Sequence, residues 1–97
     1  MTDAAQILVR LDGRAAAVAR RATFHELSYL SSIGTAGWAR GNGFGRVITA
    51  AATRDAVAAG SAWTYLGVFA DNRAAIRLYE ALGFDRIGDV GPDLLLV

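Results

Sequence analysis

Apolar and polar positions change their period several times along the chain, and each change marks an element. Gln6 to Leu11 is a short apolar strand, and Asp12-Gly13 after it is a preferred two-residue hairpin turn. Arg14 to Phe24 is the returning strand, with a weak pattern because Ala15, Ala17 and Ala19 alternate with Ala16, Val18 and Arg20. His25-Glu26 turns the chain into a third strand, Leu27 to Ala36. From Phe44 the period becomes helical: Phe44, Ile48, Ala51 and Ala52 share one face, and Gly60 closes the helix as the residue past its last turn. Ala62 to Phe69 is rich in aromatic and β-branched residues and reads as a buried central strand. Asp71 or Asn72 caps a second helix with an apolar stripe of Ala75, Leu78, Tyr79 and Leu82, and Gly83 stops it. Phe84 to Gly88 is a fifth strand, Gly91-Pro92-Asp93 turns, and Leu94 to Val97 closes the sheet. The predicted order is β-β-β-α-β-α-β-β, an α/β chain of the α+β kind around a mixed, mostly antiparallel sheet.

Composition narrows the class of function. At 54% hydrophobic and 20% charged, the 97 residues are too apolar to stay disordered and suffice for one domain. A net charge of +1 supplies no global field for nucleic acid. All ten basic residues are arginine, which suits bidentate phosphate contacts and equally reflects composition bias. Without cysteine there is no disulfide framework, thiol nucleophile or cysteine zinc site, and no metal is expected. The opening Met-Thr-Asp-Ala-Ala-Gln lacks the charged and apolar regions of a signal peptide, and no apolar run reaches the ~20 residues of a membrane span. A cytoplasmic location is the expectation.

The candidate chemistry lies in Arg40-Gly41-Asn42-Gly43-Phe44-Gly45, between a strand and an Ala-rich helix. Gly41, Gly43 and Gly45 remove Cβ atoms where the chain turns into the helix, whose first N–H groups face an anion with the dipole in support. Arg40 and Arg46 flank the turn and suit phosphate oxygens. The order of glycines departs from a dinucleotide G-x-G-x-x-G, because Arg46 occupies the last glycine position, and a nucleotide-triphosphate loop needs a lysine that this chain lacks.

The hexapeptide does fit R/Q-x-x-G-x-G/A. It resembles the acyl-CoA pyrophosphate loop of the GNAT acetyltransferases. Asp71 to Phe84, Asp-Asn-Arg-Ala-Ala-Ile-Arg-Leu-Tyr-Glu-Ala-Leu-Gly-Phe, is similar to the superfamily's N-x-x-A-x-x-L-Y-x-x-x-G-F helix. The resemblance covers about residues 6 to 97 and implies the acetyl-CoA-binding part of a GNAT domain, without the first strand and two helices that usually form the acceptor wall. It implies that acetyl-CoA meets the backbone and side chains of Arg40, Gly41, Asn42, Gly43, Phe44, Gly45 and Arg46. It implies too that the strand before the loop splays from its neighbour and that pantetheine runs along its exposed backbone at Ile33 and Thr35, with Asn72 as a further contact, and Gly34 is a candidate for easing a local bulge. Tyr79 resembles the tyrosine that protonates the departing thiolate, while its place on the apolar stripe also suits a core aromatic.

The position of the family's glutamate base is occupied here by Tyr29. Glu26 has the opposite strand parity, and His25, of matching parity, falls in a turn. Water-mediated deprotonation stays open. The activity implied is N-acetyl transfer to an amine, with a homodimer supplying the missing wall. A non-catalytic acyl-CoA-binding module, and a C-terminal fragment of a longer enzyme, are the alternatives. Trp38 reads as a cover over the sheet edge.

Overall fold

The computed structural model describes residues 2–90 and 93–96. Strands β1 (Thr2–Leu11), β2 (Arg14–Phe24) and β3 (Leu27–Thr35) lead through a short 3-10 turn (Gly37–Ala39) to α1 (Phe44–Ala58). Strand β4 (Trp63–Phe69), α2 (Arg73–Ala81), β5 (Arg86–Val90) and β6 (Asp93–Leu96) follow. The predicted order stands, with β1 starting four residues earlier than expected and β5 two residues later. The anticipated Gly91-Pro92 turn and Val97 lie outside the described residues.

The strands form one sheet in the order β1-β2-β3-β4-β6-β5. All neighbours are antiparallel except β3 and β4, which run parallel because α1 carries the chain between them. At the β1–β2 hairpin Asp12 and Gly13 both take positive φ, 52° and 81°, as a type I′ turn requires. Gly60, at φ 91°, ends α1 past its cap as anticipated.

Both helices pack on the same face of the sheet. Ala17, Ala19, Leu30, Leu66 and Val68 from the strands meet Ile48 and Ala52 of α1 and Ile76 and Tyr79 of α2. Ala17 and Ala19 of β2, two of the alanines that blurred the alternation, are thus helix contacts, where a small side chain lets α1 approach the sheet closely. The stripes differ from those expected. On α1 the buried line is Ile48, Ala52 and Ala56 with Thr49, while Ala51 is only half-buried. Thr49 tolerates burial because its hydroxyl donates to the Gly45 carbonyl at 2.8 Å. On α2, Ile76 and Tyr79 are buried, and Ala75, Leu78 and Leu82 lie at the margin.

The same face holds one buried charge. Arg21 donates from Nε to Asp55 at 2.5 Å, and from Nη1 to Asp3 at 3.1 Å and Thr23 at 2.5 Å. Burial pulls its pKa down, yet the hydrogen bonds and charges of Asp55 and Asp3 outweigh this and hold it above the ordinary value. The Thr23 hydroxyl pairs with Ser28 at 2.6 Å, and Ser28 with Ser61. These contacts join β1, β2, β3 and the end of α1.

Strand β4 is central in the pairing order but is covered on one side only. Leu66 and Val68 face the helices and are buried, whereas Trp63 and Phe69 are exposed. The expectation of a buried central strand holds for its place and its helix face but not for the second face, on which no element packs among the described residues.

Candidate functional site

The parallel ladder between β3 and β4 runs from Leu27↔Trp63 to Leu30↔Leu66 and stops there. Beyond it β3 stays with β2, as Val18↔Gly34 and Ala17↔Thr35, while β4 stays with β6 from Leu66 to Phe69. The two strands therefore fork. The hollow is a cleft of about 370 Å³ lined by Tyr29 to Ile33, Gly67 to Phe69, Asn72 and Tyr79. That size lies in the ordinary range for small-molecule sites.

A bulge builds the fork. Between Arg20↔Ser31 and Val18↔Gly34, β2 spends one residue and β3 two, and Ser32 takes φ 51°. The extra residue bends β3 away from β4. The bulge falls on Ser32 and Ile33, adjacent to Gly34, whose own φ is not positive. Past Leu30, the β4-facing edge of β3 is left without a ladder partner, so its backbone groups line the opening.

At the far end of β3 the chain reaches the glycine-rich turn. Gly41 and Gly43 both adopt left-handed backbone, φ 81° and 80°, which glycine enters without a Cβ penalty. Asn42 braces the turn by donating from Nδ2 to the carbonyls of Ala39 at 3.1 Å and Arg40 at 3.2 Å. Gly43 is the N-cap of α1 and offers no side-chain cap, and no acidic residue lies in the first turn. The N–H groups of Phe44, Gly45 and Arg46 thus open the helix without a side-chain acceptor, beside the exposed Arg40 and Arg46. Gly45 differs from the other two. It is helical, and a Cβ there would lie 3.8 Å from Leu78 Cδ2, an ordinary contact, so neither strain nor crowding in the fold asks for glycine.

Asn72 caps α2, its Oδ1 accepting from the Ala75 N–H at 3.2 Å, and lines the cleft as well. The capping choice left open between Asp71 and Asn72 is settled for Asn72. Tyr79 packs its ring edgewise on Phe84, centroids 6.3 Å apart, and also lines the cleft. Burial raises its pKa above the usual phenol value.

The cleft brings together Tyr29, Ile33, Asn72 and Tyr79 among the residues singled out from the sequence. Thr35 pairs with Ala17 and lines a second, apolar hollow of about 290 Å³ with Gly34 and Ala36. The Arg40–Arg46 turn lies outside both hollows. Tyr29 lines the cleft, whereas His25 and Glu26 sit at the joined end of β3, where the Glu26 carbonyl accepts from Ala62 and Trp63. Trp38 lies beneath the Arg14 guanidinium, 4.1 Å from ring centroid to Cζ, as a cover over the β2 end. Ser32, Gly67 and Phe69 were not anticipated as lining residues. Gly34, next to Ile33 of the bulge, was the residue-level signal for it.

A forked parallel pair with a glycine-rich turn at the head of the crossover helix defines an acyl-CoA N-acyltransferase architecture of GNAT type. The model of the family described as FR47-like protein matches residues 8–90, and the chain belongs to that GNAT-type family. The ribosomal-protein-S18-alanine N-acetyltransferase of Escherichia coli superposes with a TM-score of 0.85 at 23% identity, over 96% of this chain and 66% of its own. The PaiA N-acetyltransferase of Thermoplasma acidophilum, in complex with coenzyme A, gives 0.87 at 15% identity, over 97% of this chain and 59% of its own. These likenesses establish the fold. A mycothiol acetyltransferase of Nocardiopsis dassonvillei is 51% identical over 45 residues, 46% of this chain and 14% of that protein. The chain thus matches only part of the length of these relatives.

Proposed function

We propose that the chain binds acetyl-CoA and transfers its acetyl group to an amine. The observation that carries this reading is the fork between β3 and β4, followed in the chain, after the short 3-10 turn, by an uncapped helix N-terminus that two left-handed glycines open. In this reading the N–H groups from Asn42 to Arg46 hold the pyrophosphate, with the Arg40 and Arg46 guanidinia beside it. The unpaired edge of β3 at Ile33 and Thr35 receives the pantetheine amides in the manner of an added strand, and Asn72 contacts the same arm. Acetyl-CoA supplies an activated acyl group, which an amine attacks directly within a ternary complex.

Backbone N–H groups of β3 at the fork polarise the thioester carbonyl. The Tyr79 hydroxyl faces the sulfur. Burial holds its pKa above the usual phenol value, so the group enters the cleft as a neutral donor. It gives its proton to the departing thiolate, and the proton released from the acceptor amine restores the phenol through water. The chain acts in the cytoplasm as a homodimer. Among the described residues no helix is long and apolar enough to cross a membrane.

Calorimetric titration with acetyl-CoA tests the reading. Saturable binding by the wild-type chain, abolished in an Arg40→Ala, Gly43→Glu double variant that keeps its helical signal, is the expected result. A folded wild-type chain that binds no acetyl-CoA overturns it.

A further inference from the structure

Among the described residues, Asp12, His25 and Ser32 take left-handed backbone without being glycine. Asp12 and His25 sit at the β1–β2 and β2–β3 turns, where reversal of the chain asks for it. Ser32 stands inside β3, in the bulge that opens the fork, and it lines the cleft. A left-handed residue in a bulge is ordinarily glycine, because a Cβ in that conformation costs free energy. Serine holds the position despite the strain and adds a hydroxyl to the cleft wall. Strain of this kind collects where a side chain serves a ligand.

The register fixes what lies beside that hydroxyl. Leu30 is the last residue of β3 paired with β4, through Leu66, so Ser31 and Ser32 are the first past the crotch of the fork. In the acyl-CoA reading, on which this inference rests, the pantetheine amides lie at Thr35 and Ile33. The ligand then runs toward Leu30, and the two-carbon arm beyond its last amide covers one or two residues of strand at ~3.3 Å each. The thioester carbonyl falls at Ser31–Ser32. Ser31 is held in the β2 ladder opposite Arg20, and Tyr29 precedes the crotch, paired with Tyr65. Tyr79 enters from α2 and is assigned to the sulfur. Ser32 belongs to the same strand edge as the N–H groups that meet the carbonyl oxygen.

We propose that the Ser32 hydroxyl donates a hydrogen bond to the thioester carbonyl oxygen of acetyl-CoA, beside the backbone N–H groups of β3. As the amine attacks, the C–N bond forms and the oxygen gains negative charge, which strengthens this bond. When the C–S bond breaks, the electron pair leaves with sulfur and the carbonyl re-forms. Ser32 keeps its proton throughout.

Calorimetry with acetyl-CoA and with coenzyme A, which has no carbonyl at sulfur, tests the assignment. Ser32→Gly removes the hydroxyl, relieves the strain and keeps the bulge. It is expected to lose about fivefold in acetyl-CoA affinity, the worth of one neutral hydrogen bond, and to hold coenzyme A within about twofold. Its melting temperature should be no lower than that of the wild type. Ser32→Ala, which keeps the Cβ, shows the same loss and keeps the test decisive should Ser32→Gly lose its circular dichroism signal. Difference infrared spectroscopy of isotope-labelled acetyl-CoA reads the bond itself: binding to the wild type lowers the carbonyl frequency, and both variants lose part of that shift. A folded variant with the wild-type carbonyl band and the wild-type ratio of the two affinities overturns the assignment alone. An equal loss for both ligands also overturns it, because Ser32 then shapes the fork and does not meet the carbonyl. A folded wild type that binds neither ligand overturns the acyl-CoA reading and this assignment with it.

Discussion

The two faces of the sheet are built from the same alternating strands and end up in opposite circumstances. On the helix side, Ala17, Ala19, Leu30 and Leu66 are closed off from water, and even a buried arginine finds acceptors on two elements. On the other side, Phe24, Leu27, Trp63 and Phe69 carry comparable apolar surface into solvent. Alternation makes a strand competent to bury either face, and the crossover through α1, with α2 on the same side, decides which face is buried by this chain alone. The cleft sits where the contrast is sharpest, with Leu30 and Val68 reaching it from the core and Tyr29 and Phe69 from the bare face.

Truncations should separate the faces most strongly. Leu66→Ala, in a fully buried site, is expected to cost about 2–5 kcal/mol in urea unfolding. Trp63→Ala, although it removes a larger side chain, should cost less than ~1 kcal/mol in a chain held monomeric by dilution. Equal losses would mean that the bare face is covered within the folded monomer. Arg21→Met comes next, at roughly 1–3 kcal/mol: it removes the hydrogen bonds to Asp55, Asp3 and Thr23, but both carboxylates are exposed enough to be rehydrated.

The glycines sharpen the contrast between fold and ligand. Gly43→Ala forces a left-handed alanine and should cost about 1 kcal/mol or more of stability as well as acetyl-CoA binding. Gly45→Ala should leave stability unchanged or raise it by a few tenths of a kcal/mol, since the position is helical and its Cβ meets only an ordinary contact. If it nonetheless weakens acetyl-CoA binding in calorimetry, the glycine serves the ligand and not the fold. Unchanged binding would remove Gly45 from the proposed cradle.

The smallest effect is in alkali. Tyr79 titrates above its unfolded value because burial disfavours the phenolate, so between those two values the native chain holds more protons than the unfolded one. Its contribution is intact below pH ~10 and is lost as pH rises through the folded value. Thermal unfolding of Tyr79→Phe should show a shallower alkaline decline than the wild type. Identical slopes would place the ring in a more solvated site.

Much of this was legible in the chain. The element order, the Asp12-Gly13 hairpin and the Gly60 stop depend on local preferences that each segment carries by itself. The loop and the Asn72 helix were legible because glycine and capping residues act at fixed offsets. The fork was expected only through the family resemblance, with Gly34 as a hint; its exact place at Ser32 was not legible, because a bulge is a mismatch of register with β2 and Leu27–Thr35 alone does not count the residues of its partner. Arg21 was hidden for a related reason. Arg20 and Arg21 look alike in sequence, and only the choice of helix-covered face sends Arg21 inward and Arg20 out. On α2 the sheet meets the Ile76 and Tyr79 side of the helix, a choice made by tertiary packing and not by the local period, and Leu78 is left at the margin.

The central claim is that acetyl-CoA binds along the forked edge of β3 and at the head of α1. An amide NMR titration with coenzyme A reads this residue by residue. The account predicts the largest shifts at Ser31–Thr35 and at Asn42–Arg46, with Asn72 moving as well, while Phe24, Leu27 and the far end of α1 stay still. Binding that perturbs neither β3 beyond Leu30 nor the α1 N-terminus would contradict it.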